Sequence, residues 1–179
     1  NLRKDLCIKL LRGNVDTRIQ KLENNEYDAI ILSFAGLIRL NLDHLITEVL
    51  EYNLFLPAAC QGAVGVQAFK SSEVKKILAP INDLKTQTEC MAERRVLKNI
   101  NANCNSPVSI NANINKNNIS LKFEMFDHQG NKIFKKAKKD YKENYLKLCD
   151  ELGKEIINAV GQTKINELDK LKSDFDYTP

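Results

Sequence analysis

The chain lacks any long run of apolar residues and any repeated metal-binding pattern. None of its apolar segments approaches the roughly 20 residues that a helix needs to cross a bilayer, so no membrane-spanning helix is predicted. It has two histidines, His44 and His128, and no Cys-x-x-Cys pair, so no metal site is expected. It opens Asn1-Leu2-Arg3-Lys4-Asp5, without a signal-peptide pattern or an initiator methionine, which indicates a processed or truncated piece.

Cysteine is present in an odd number and without paired spacing. Five such residues indicate reduced thiols in a cytosol-like compartment. Cys104 follows a predicted helix and precedes a Pro-Val turn, where a thiol can face a cleft and form a covalent bond. A small buried side chain is the alternative for any free cysteine, and it is the interpretation we favour for Cys7, Cys60, Cys90 and Cys149.

Neither sign of charge is in large excess. The 27 Lys and Arg against 23 Asp and Glu give a formal net charge of +4, which suits an anionic ligand without requiring one. The most basic stretch, Lys132–Lys142, contains no recognised nucleic-acid-binding motif, so no nucleic-acid partner is expected. We interpret it as a solvated edge strand, in which lysines discourage pairing with other chains.

The first fifty residues alternate between apolar and amphipathic segments. Leu6–Leu11 and Asp28–Ser33 are almost continuously apolar, as is typical of buried strands covered on both faces. A helical pattern lies between them, capped by Asn14 or Asp16, and a short helix is predicted at Ala35–Leu40. Strand, helix, strand and helix in this order indicate a βαβ unit with a parallel sheet.

Basic side chains follow these predicted strands. Ligands of parallel sheets bind outside the carboxyl ends of the strands. Arg12 lies at such an end, and Arg18 and Arg39 lie in the attached helices. Because the guanidinium fork matches carboxylates, the three arginines are candidates for binding an anionic ligand. On spacing alone, surface ion pairs with neighbouring acidic side chains are the alternative.

The next segment predicts a hinge and a change of architecture. Asn53–Pro57 is expected to be a crossover or hinge, and Ala63–Phe69 a third apolar strand. A helix near residues 73–78, a boundary at Ala79-Pro80 and a long helix from about Asn82 to Lys98 follow.

The last part predicts an α+β domain. Strands are predicted at Val108–Ile114, Ile119–Phe126 and Lys132–Lys138, with turns at Asn117-Asn118 and Gln129-Gly130. A helix near residues 144–160 carries one apolar face, formed by Leu146, Cys149, Leu152, Ile156 and Ala159. The predicted fold class is therefore α/β, with a parallel-sheet βαβ part, plus a C-terminal α+β domain with a three-stranded antiparallel sheet and helices.

Five motifs occur in a fixed order along nearly the whole chain. They are Arg12-Gly13-Asn14 with Thr17-Arg18, Glu26–Leu32, Ala35–Leu40, Leu56–Ala63, and Ala92-Glu93-Arg94 followed by Cys104 and Pro107. In this order they resemble the porphobilinogen deaminase family, whose members are also called hydroxymethylbilane synthases. Five ordered motifs are far more specific than any one of them.

The resemblance implies a domain organisation. Residues 1–53 resemble the end of the family's second domain, which has a periplasmic-binding-protein-like fold. Residues 54–80 resemble the hinge and the segment that returns to the first domain. Residues 81–179 resemble the C-terminal α+β domain that carries the cofactor cysteine.

The resemblance also implies a chemistry. The family condenses four porphobilinogen molecules head to tail, releasing ammonia at each step, on a dipyrromethane cofactor used as primer. Cys104 aligns with the cysteine that holds this cofactor through a thioether. Arg12, Arg18 and Arg39 align with residues that bind carboxylates of cofactor and substrate, and Gln61 and Gly62 with residues that contact substrate.

The family's catalytic aspartate has no counterpart here. It belongs to an N-terminal part that this sequence lacks, so no catalytic residue is assigned, and that part is the expected protein partner. We expect a cytoplasmic location, with the plastid stroma as the alternative, since some lineages keep this pathway there. The main functional alternative is a non-enzymatic, anionic-ligand-binding module of solute-binding-protein type, because fold alone does not separate the two. A small-molecule regulatory domain is a third reading.

Overall fold

The chain divides into two compact units, with a boundary in the sequence between Glu51 and Tyr52. The computed structural model describes residue 3 and residues 5–52, 54–69, 71–103 and 106–170. Among the described residues, the first unit comprises those up to 51 and the second those from 52 to 170. The predicted division into residues 1–53, 54–80 and 81–179 remains a prediction.

The described residues of the first unit contain two α-helices. Helix α1 spans Val15–Glu23 and helix α2 spans Phe34–Arg39, followed by a single 3-10 turn at Asp43–Leu45. The Asn14 side chain accepts a hydrogen bond from the Thr17 amide at 2.8 Å and so caps α1. The sequence offered Asn14 or Asp16 as this cap, and the structure selects Asn14.

Three predicted strands are not strands in this structure. Leu6–Leu11, Asp28–Ser33 and Ala63–Phe69 have no assigned secondary structure, and Ile8 and Ile31 are 74% and 73% exposed. A strand exists only when a neighbouring backbone pairs with it, and apolar content does not supply that neighbour. The prediction that these segments are buried strands is therefore wrong for this structure.

The second unit begins with two helices. Helix α3 spans Ser72–Leu78, and a 3-10 turn at Ala79–Ile81 separates it from helix α4, Leu84–Asn99. The Asp83 carboxylate caps α4 by accepting the Thr86 amide at 2.6 Å. The long helix expected from about residue 82 to residue 98 is confirmed.

The three predicted antiparallel strands are confirmed. They are β1 (Val108–Asn115), β2 (Asn118–Phe126) and β3 (Lys132–Tyr141), and they form one sheet in the order β1-β2-β3. The first turn lies one residue earlier than predicted. Asn115 pairs with Asn118, so Lys116-Asn117 forms the turn, with Lys116 in the left-handed region at φ 56°.

The core lies between one face of this sheet and three helices. Helix α5 spans Tyr145–Val160 and helix α6, which the sequence did not predict, spans Gln162–Lys170. Fully buried side chains come from every layer: Val96, Ile100, Ile110, Leu121, Phe123, Leu152, Ile156 and Ile165. This arrangement confirms the predicted C-terminal α+β domain.

The apolar face of α5 differs slightly from the prediction. Cys149, Leu152 and Ile156 are buried as expected, but Leu146 is 45% exposed and Ala159 is also exposed. Leu148 points into the core in place of Leu146. Both leucines belong to the first turn of the helix, where small changes in phase move a side chain from core to surface.

Strand β3 is an edge strand, as the lysine-rich segment predicted, but its lysines are not all solvated. Lys138 contacts the carboxylates of Glu151 and Glu155 on α5 at 3.1 and 2.8 Å. Lys132 and Lys135 contact Glu124 on β2. The positive stretch is thus partly neutralised by acidic side chains of the same domain.

Candidate cofactor and substrate site

Two hydrogen bonds join the residues on either side of Cys104. The Asn103 amide donates to the Ser106 hydroxyl at 2.7 Å, and the Ser106 amide donates to the Asn103 carbonyl at 3.2 Å. Ser106 is buried, so its hydroxyl is a fixed part of this loop. Cys104 itself, the predicted attachment point of the cofactor, lies outside the described residues.

A cavity of about 590 Å³ adjoins this loop. Its lining comes from the loop around Cys104, the last turns of α4 and the segment after Pro57: Ala58, Ala59, Arg94, Leu97, Lys98, Asn101, Ala102, Asn103, Ser106 and Val108. Small apolar side chains form part of the wall, and two cations form another part. Such a mixture suits a ligand that combines flat apolar groups with negative charge.

Sequence reasoning missed the two cations of this cavity. Arg94 and Lys98 are four residues apart on α4, so they lie on the same face of the helix one turn apart. Both are exposed, whereas Ala92, Glu93 and Val96 of the same helix are buried. The sequence signal for these cations was the i, i+4 spacing of two basic residues before Cys104. That spacing is also common on solvated helix surfaces, so it did not distinguish a ligand site.

The predicted substrate residues Gln61 and Gly62 lie in a tight turn. The Gln61 amide donates to the Ala58 carbonyl and the Ala63 amide to the Cys60 carbonyl, both at 3.1 Å. Cys60 and Gly62 have positive φ, 60° and 86°. The left-handed conformation of Cys60 is one that glycine adopts more readily than a residue with a Cβ. The turn leaves Gln61 and Gly62 exposed.

Glu93 holds this turn against the sheet. Its two carboxylate oxygens accept the Cys60 amide at 2.5 Å and the Ala112 amide at 2.7 Å. Glu93 is only 5% exposed, and burial raises the pKa of its carboxyl, partly opposed by these two hydrogen bonds. One side chain thereby connects α4, β1 and the turn that carries Gln61.

The other cysteines have distinct surroundings. Cys149 is fully buried, and burial raises its pKa to about 11. Burial, followed by the neighbouring Cys60 thiol, raises the pKa of Cys90 to about 11. Cys7 is exposed, which makes the expectation of a core role wrong for that residue, because its apolar segment is unpaired.

The three predicted arginines all belong to the first unit. Arg12 and Arg18 flank the start of α1, where the Arg18 Nε donates to the Gly13 carbonyl at 2.7 Å. Lys21 approaches the Arg12 carbonyl at 3.5 Å and adds positive charge to the same turn. Arg39 is the last residue of α2 and is exposed. Arg12 lies two residues before Asn14, the N-cap of α1, and Arg18 lies within α1, and their role as ligand-binding residues stays a prediction.

Two family models match the chain. One is described as porphobilinogen deaminase, dipyromethane cofactor binding domain, and matches residues 1–76. The other is described as porphobilinogen deaminase, C-terminal domain, and matches residues 87–160. The second match contains β1 to β3, α5 and most of α4, and it includes the Cys104 position.

Curated bacterial proteins named porphobilinogen deaminase are similar to this chain. The protein from Campylobacter jejuni subsp. doylei is 37% identical over 158 residues, which cover 87% of this chain and 52% of that protein. The protein from Campylobacter lari is 35% identical over 172 residues, covering 95% and 56%. A Nitratiruptor relative is 37% identical over 161 residues, covering 88% and 51%. The chain spans about half the length of the curated relatives it matches.

Proposed function

This chain belongs to the porphobilinogen deaminase family. From that premise we propose that it forms part of a hydroxymethylbilane synthase, a transferase of tetrapyrrole biosynthesis. The proposed reaction joins four porphobilinogen molecules head to tail. Each addition forms one carbon–carbon bond and releases one ammonia. The observation that supports it best is a cation-bearing cavity beside the loop that contains Cys104.

The residues of this cavity fit a dipyrromethane cofactor. Each pyrrole of that group is a flat ring that carries an acetate and a propionate, so the cofactor combines two flat rings with four carboxylates. The cavity offers apolar walls, such as Leu97 and Val108, together with the cations Arg94 and Lys98. When bound, the cofactor supplies the primer to which the first substrate is joined.

Cys104 is proposed to hold the cofactor through a thioether. A tethered primer makes each addition effectively intramolecular, which removes much of the entropic cost of bringing the reactants together. The hydrogen bonds between Asn103 and Ser106 hold the ends of the cysteine loop at fixed positions next to the cavity.

Cations are proposed to bind the carboxylates of the growing chain. Arg12, Arg18 and Arg39 take this role for cofactor and substrate, and Arg94 and Lys98 take it at the cavity. Each added pyrrole brings two negative charges, and arginine stays protonated throughout the physiological pH range. Gln61 and Gly62 are proposed to contact pyrrole side chains, where the absence of a Cβ on Gly62 lets a ligand approach the backbone.

The remainder of the same protein is proposed to complete the enzyme. Apolar side chains of the unpaired segments are exposed, for example Leu6 at 55%, Val64 at 73% and Phe69 at 95%. Surfaces of this kind are usually covered by another part of the protein or by a partner. We assign the general acid, an aspartate in the family, to that remainder.

We propose a cytoplasmic location for the protein, because its thiols remain reduced there. Among the described helices, none is long and apolar enough to cross a membrane.

The decisive experiment measures intact mass. The full-length gene product is expressed with a porphobilinogen supply, beside the variant Cys104→Ser and the control Cys7→Ser. We expect the native protein and Cys7→Ser to gain the mass of one dipyrromethane, and Cys104→Ser to gain none. A folded, complete protein that remains unmodified would contradict the proposal and favour the binding-module alternative.

A further inference from the structure

The outer edge of β1 is covered by groups that accept its backbone amides. The Ile110 amide donates to the Pro57 carbonyl at 2.9 Å. The next two outward amides donate to side chains of α4: Ala112 to Glu93 at 2.7 Å and Ile114 to Glu89 at 2.6 Å. Two glutamates, one helical turn apart, therefore take the place of a fourth strand.

Glu93 differs from Glu89 in the use of its second oxygen. Glu93 Oε2 accepts the Cys60 amide at 2.5 Å. Cys60 directly precedes Gln61, and its left-handed φ of 60° is held at the tip of the turn. Glu93 Oε2 thus holds Cys60 in place. The backbone conformation of Cys60 in turn sets the direction in which Gln61 and Gly62 leave the turn.

The turn carries two parts of the proposed site. Ala58 and Ala59 line the cavity beside the Cys104 loop, and Gln61 and Gly62 are the proposed substrate contacts. The turn has few constraints of its own, since its internal backbone bonds are two i to i+3 contacts. A buried carboxylate is a strong acceptor, because a charged hydrogen bond in a dry environment exceeds a neutral one.

We propose that Glu93 is a positioning residue for substrate binding. It holds the Ala58–Ala63 turn on the surface of β1 so that Gln61 and the Gly62 backbone are preorganised before porphobilinogen arrives. The role rests on the proposed function, because it concerns substrate contacts of the same site. Preorganisation lowers the ordering cost of binding, so its loss is expected in KM rather than in kcat.

The test compares Glu93→Gln with Glu89→Gln in the full-length protein. Glutamine keeps the size of the side chain but has one accepting oxygen, so Glu93→Gln cannot accept both amides. Glu89→Gln removes a charge from the same helix face while leaving the turn untouched. We expect Glu93→Gln to raise KM for porphobilinogen roughly tenfold, as loss of one charge-assisted hydrogen bond implies, with kcat within about twofold. Glu89→Gln should leave both constants near the native values.

A second readout does not depend on catalysis. Alkylation of Cys60 by iodoacetamide, followed by peptide mass spectrometry, reports how firmly the turn is held. We expect faster alkylation of Cys60 in Glu93→Gln than in Glu89→Gln. Equal KM values and equal alkylation rates in the two variants would overturn the proposal.

The two proposals fail in different ways. A full-length protein that consumes no porphobilinogen contradicts the proposed function, whereas the alkylation comparison still decides whether Glu93 holds the turn. If Glu93→Gln does not fold, Glu93→Asp replaces it. Aspartate keeps the charge but is one methylene shorter, so it reaches only one of the two amides. The same rise in KM and in Cys60 alkylation is expected, and its absence counts against the inference.

Discussion

Individual cysteines in this chain differ because their surroundings differ, not because of their sequence neighbours. Cys149 lies in the α5 core and its Sγ donates to the Ala92 carbonyl at 3.4 Å. Cys7 lies in an unpaired segment and faces solvent. A thiol reacts as the thiolate, so a raised pKa and a buried sulfur protect Cys149 twice over.

Selective alkylation follows from this difference. We predict that iodoacetamide at about pH 8 modifies Cys7 in the native chain and leaves Cys149 unmodified until the domain unfolds. Peptide mass spectrometry after timed quenching measures both rates, with a guanidinium-unfolded sample as the control. Modification of Cys149 at the rate of Cys7 would show that the α4–α5 core opens freely.

The pairing of α4 with α5 is the central contact at the level of elements. Gly153 packs so closely on Asn99 that a Cβ at position 153 would lie 2.7 Å from the Asn99 Cβ. On the same side, Arg95 and Asn99 both donate to the Asp150 carboxylate. The two helices therefore meet through one steric contact and one polar cluster.

Gly153→Ala should destabilise the domain although alanine favours helices. The propensity gain is about 1 kcal/mol, whereas forcing a methyl group into a filled contact costs typically 1–3 kcal/mol and the backbone must shift. We expect a net loss of about 1 kcal/mol in the free energy of unfolding, measured by urea denaturation. Gly36→Ala in α2 is the control, because its Cβ would have ordinary contacts of 3.6 Å with Ser33. Equal stabilities of Gly153→Ala and the native chain would contradict the packing.

Asp150 makes the same helix contact sensitive to acid. Hydrogen bonds from Arg95 and then Asn99 lower the pKa of its carboxyl below the ordinary value of 3.8. The folded state thus holds this proton less tightly than the unfolded state. The stabilisation is present above about pH 4 and is lost as pH falls through the lower folded pKa.

Asp150→Asn is predicted to flatten this dependence. The variant should unfold at a lower temperature near pH 7, and the difference from the native chain should shrink as pH falls from about 5 towards 2. Thermal unfolding followed by circular dichroism at several pH values measures it. Glu143→Gln, at an exposed acid of the turn before α5, is the control. A difference that stays constant over the range would assign the effect to something other than charge.

Elements with local partners were predictable, and those that depend on distant partners were not. The β1–β2 hairpin joins Asn115 to Asn118 across two residues, so its strands carry their own pairing. Leu6–Leu11 is as rich in apolar residues as these strands, but no neighbouring strand pairs with it in the described part of the chain. The role of Glu93 was equally hidden, because it accepts amides 33 residues before it and 19 residues after it. The Arg94–Lys98 pair was missed as well, because two basic residues four positions apart resemble an ordinary solvated helix face.

At the scale of the whole molecule, the described residues contain one well-covered core and many exposed apolar side chains. The core lies in the second unit, between the sheet and α4 to α6. Elsewhere large apolar side chains are exposed, including Ile8, Ile31, Val64 and Phe69. The chain also spans about half the length of its curated relatives.

The 179-residue chain alone is predicted to have no deaminase activity and to expose apolar surface that binds other apolar molecules. Because the general acid is assigned to the remainder of the protein, the isolated chain should release no ammonia from porphobilinogen. It should also bind more of the apolar dye ANS per molecule than the full-length protein does. An ammonia assay and ANS fluorescence, each with the full-length protein beside it, measure the two effects. Turnover by the isolated chain would refute the assignment.

The glutamates along β1 also determine how wide the sheet can become. An edge strand with free amides is a template on which another chain can add a strand, the first step of aggregation. Here the outward amides of Ile110, Ala112 and Ile114 already have acceptors within the domain. The opposite edge, β3, carries a row of lysines, several of them paired with acidic side chains of the domain, and lysines on an edge strand discourage the addition of another strand. The acceptors along β1 and the lysines along β3 therefore keep the sheet at three strands, with no further strand at either edge in the described part of the domain.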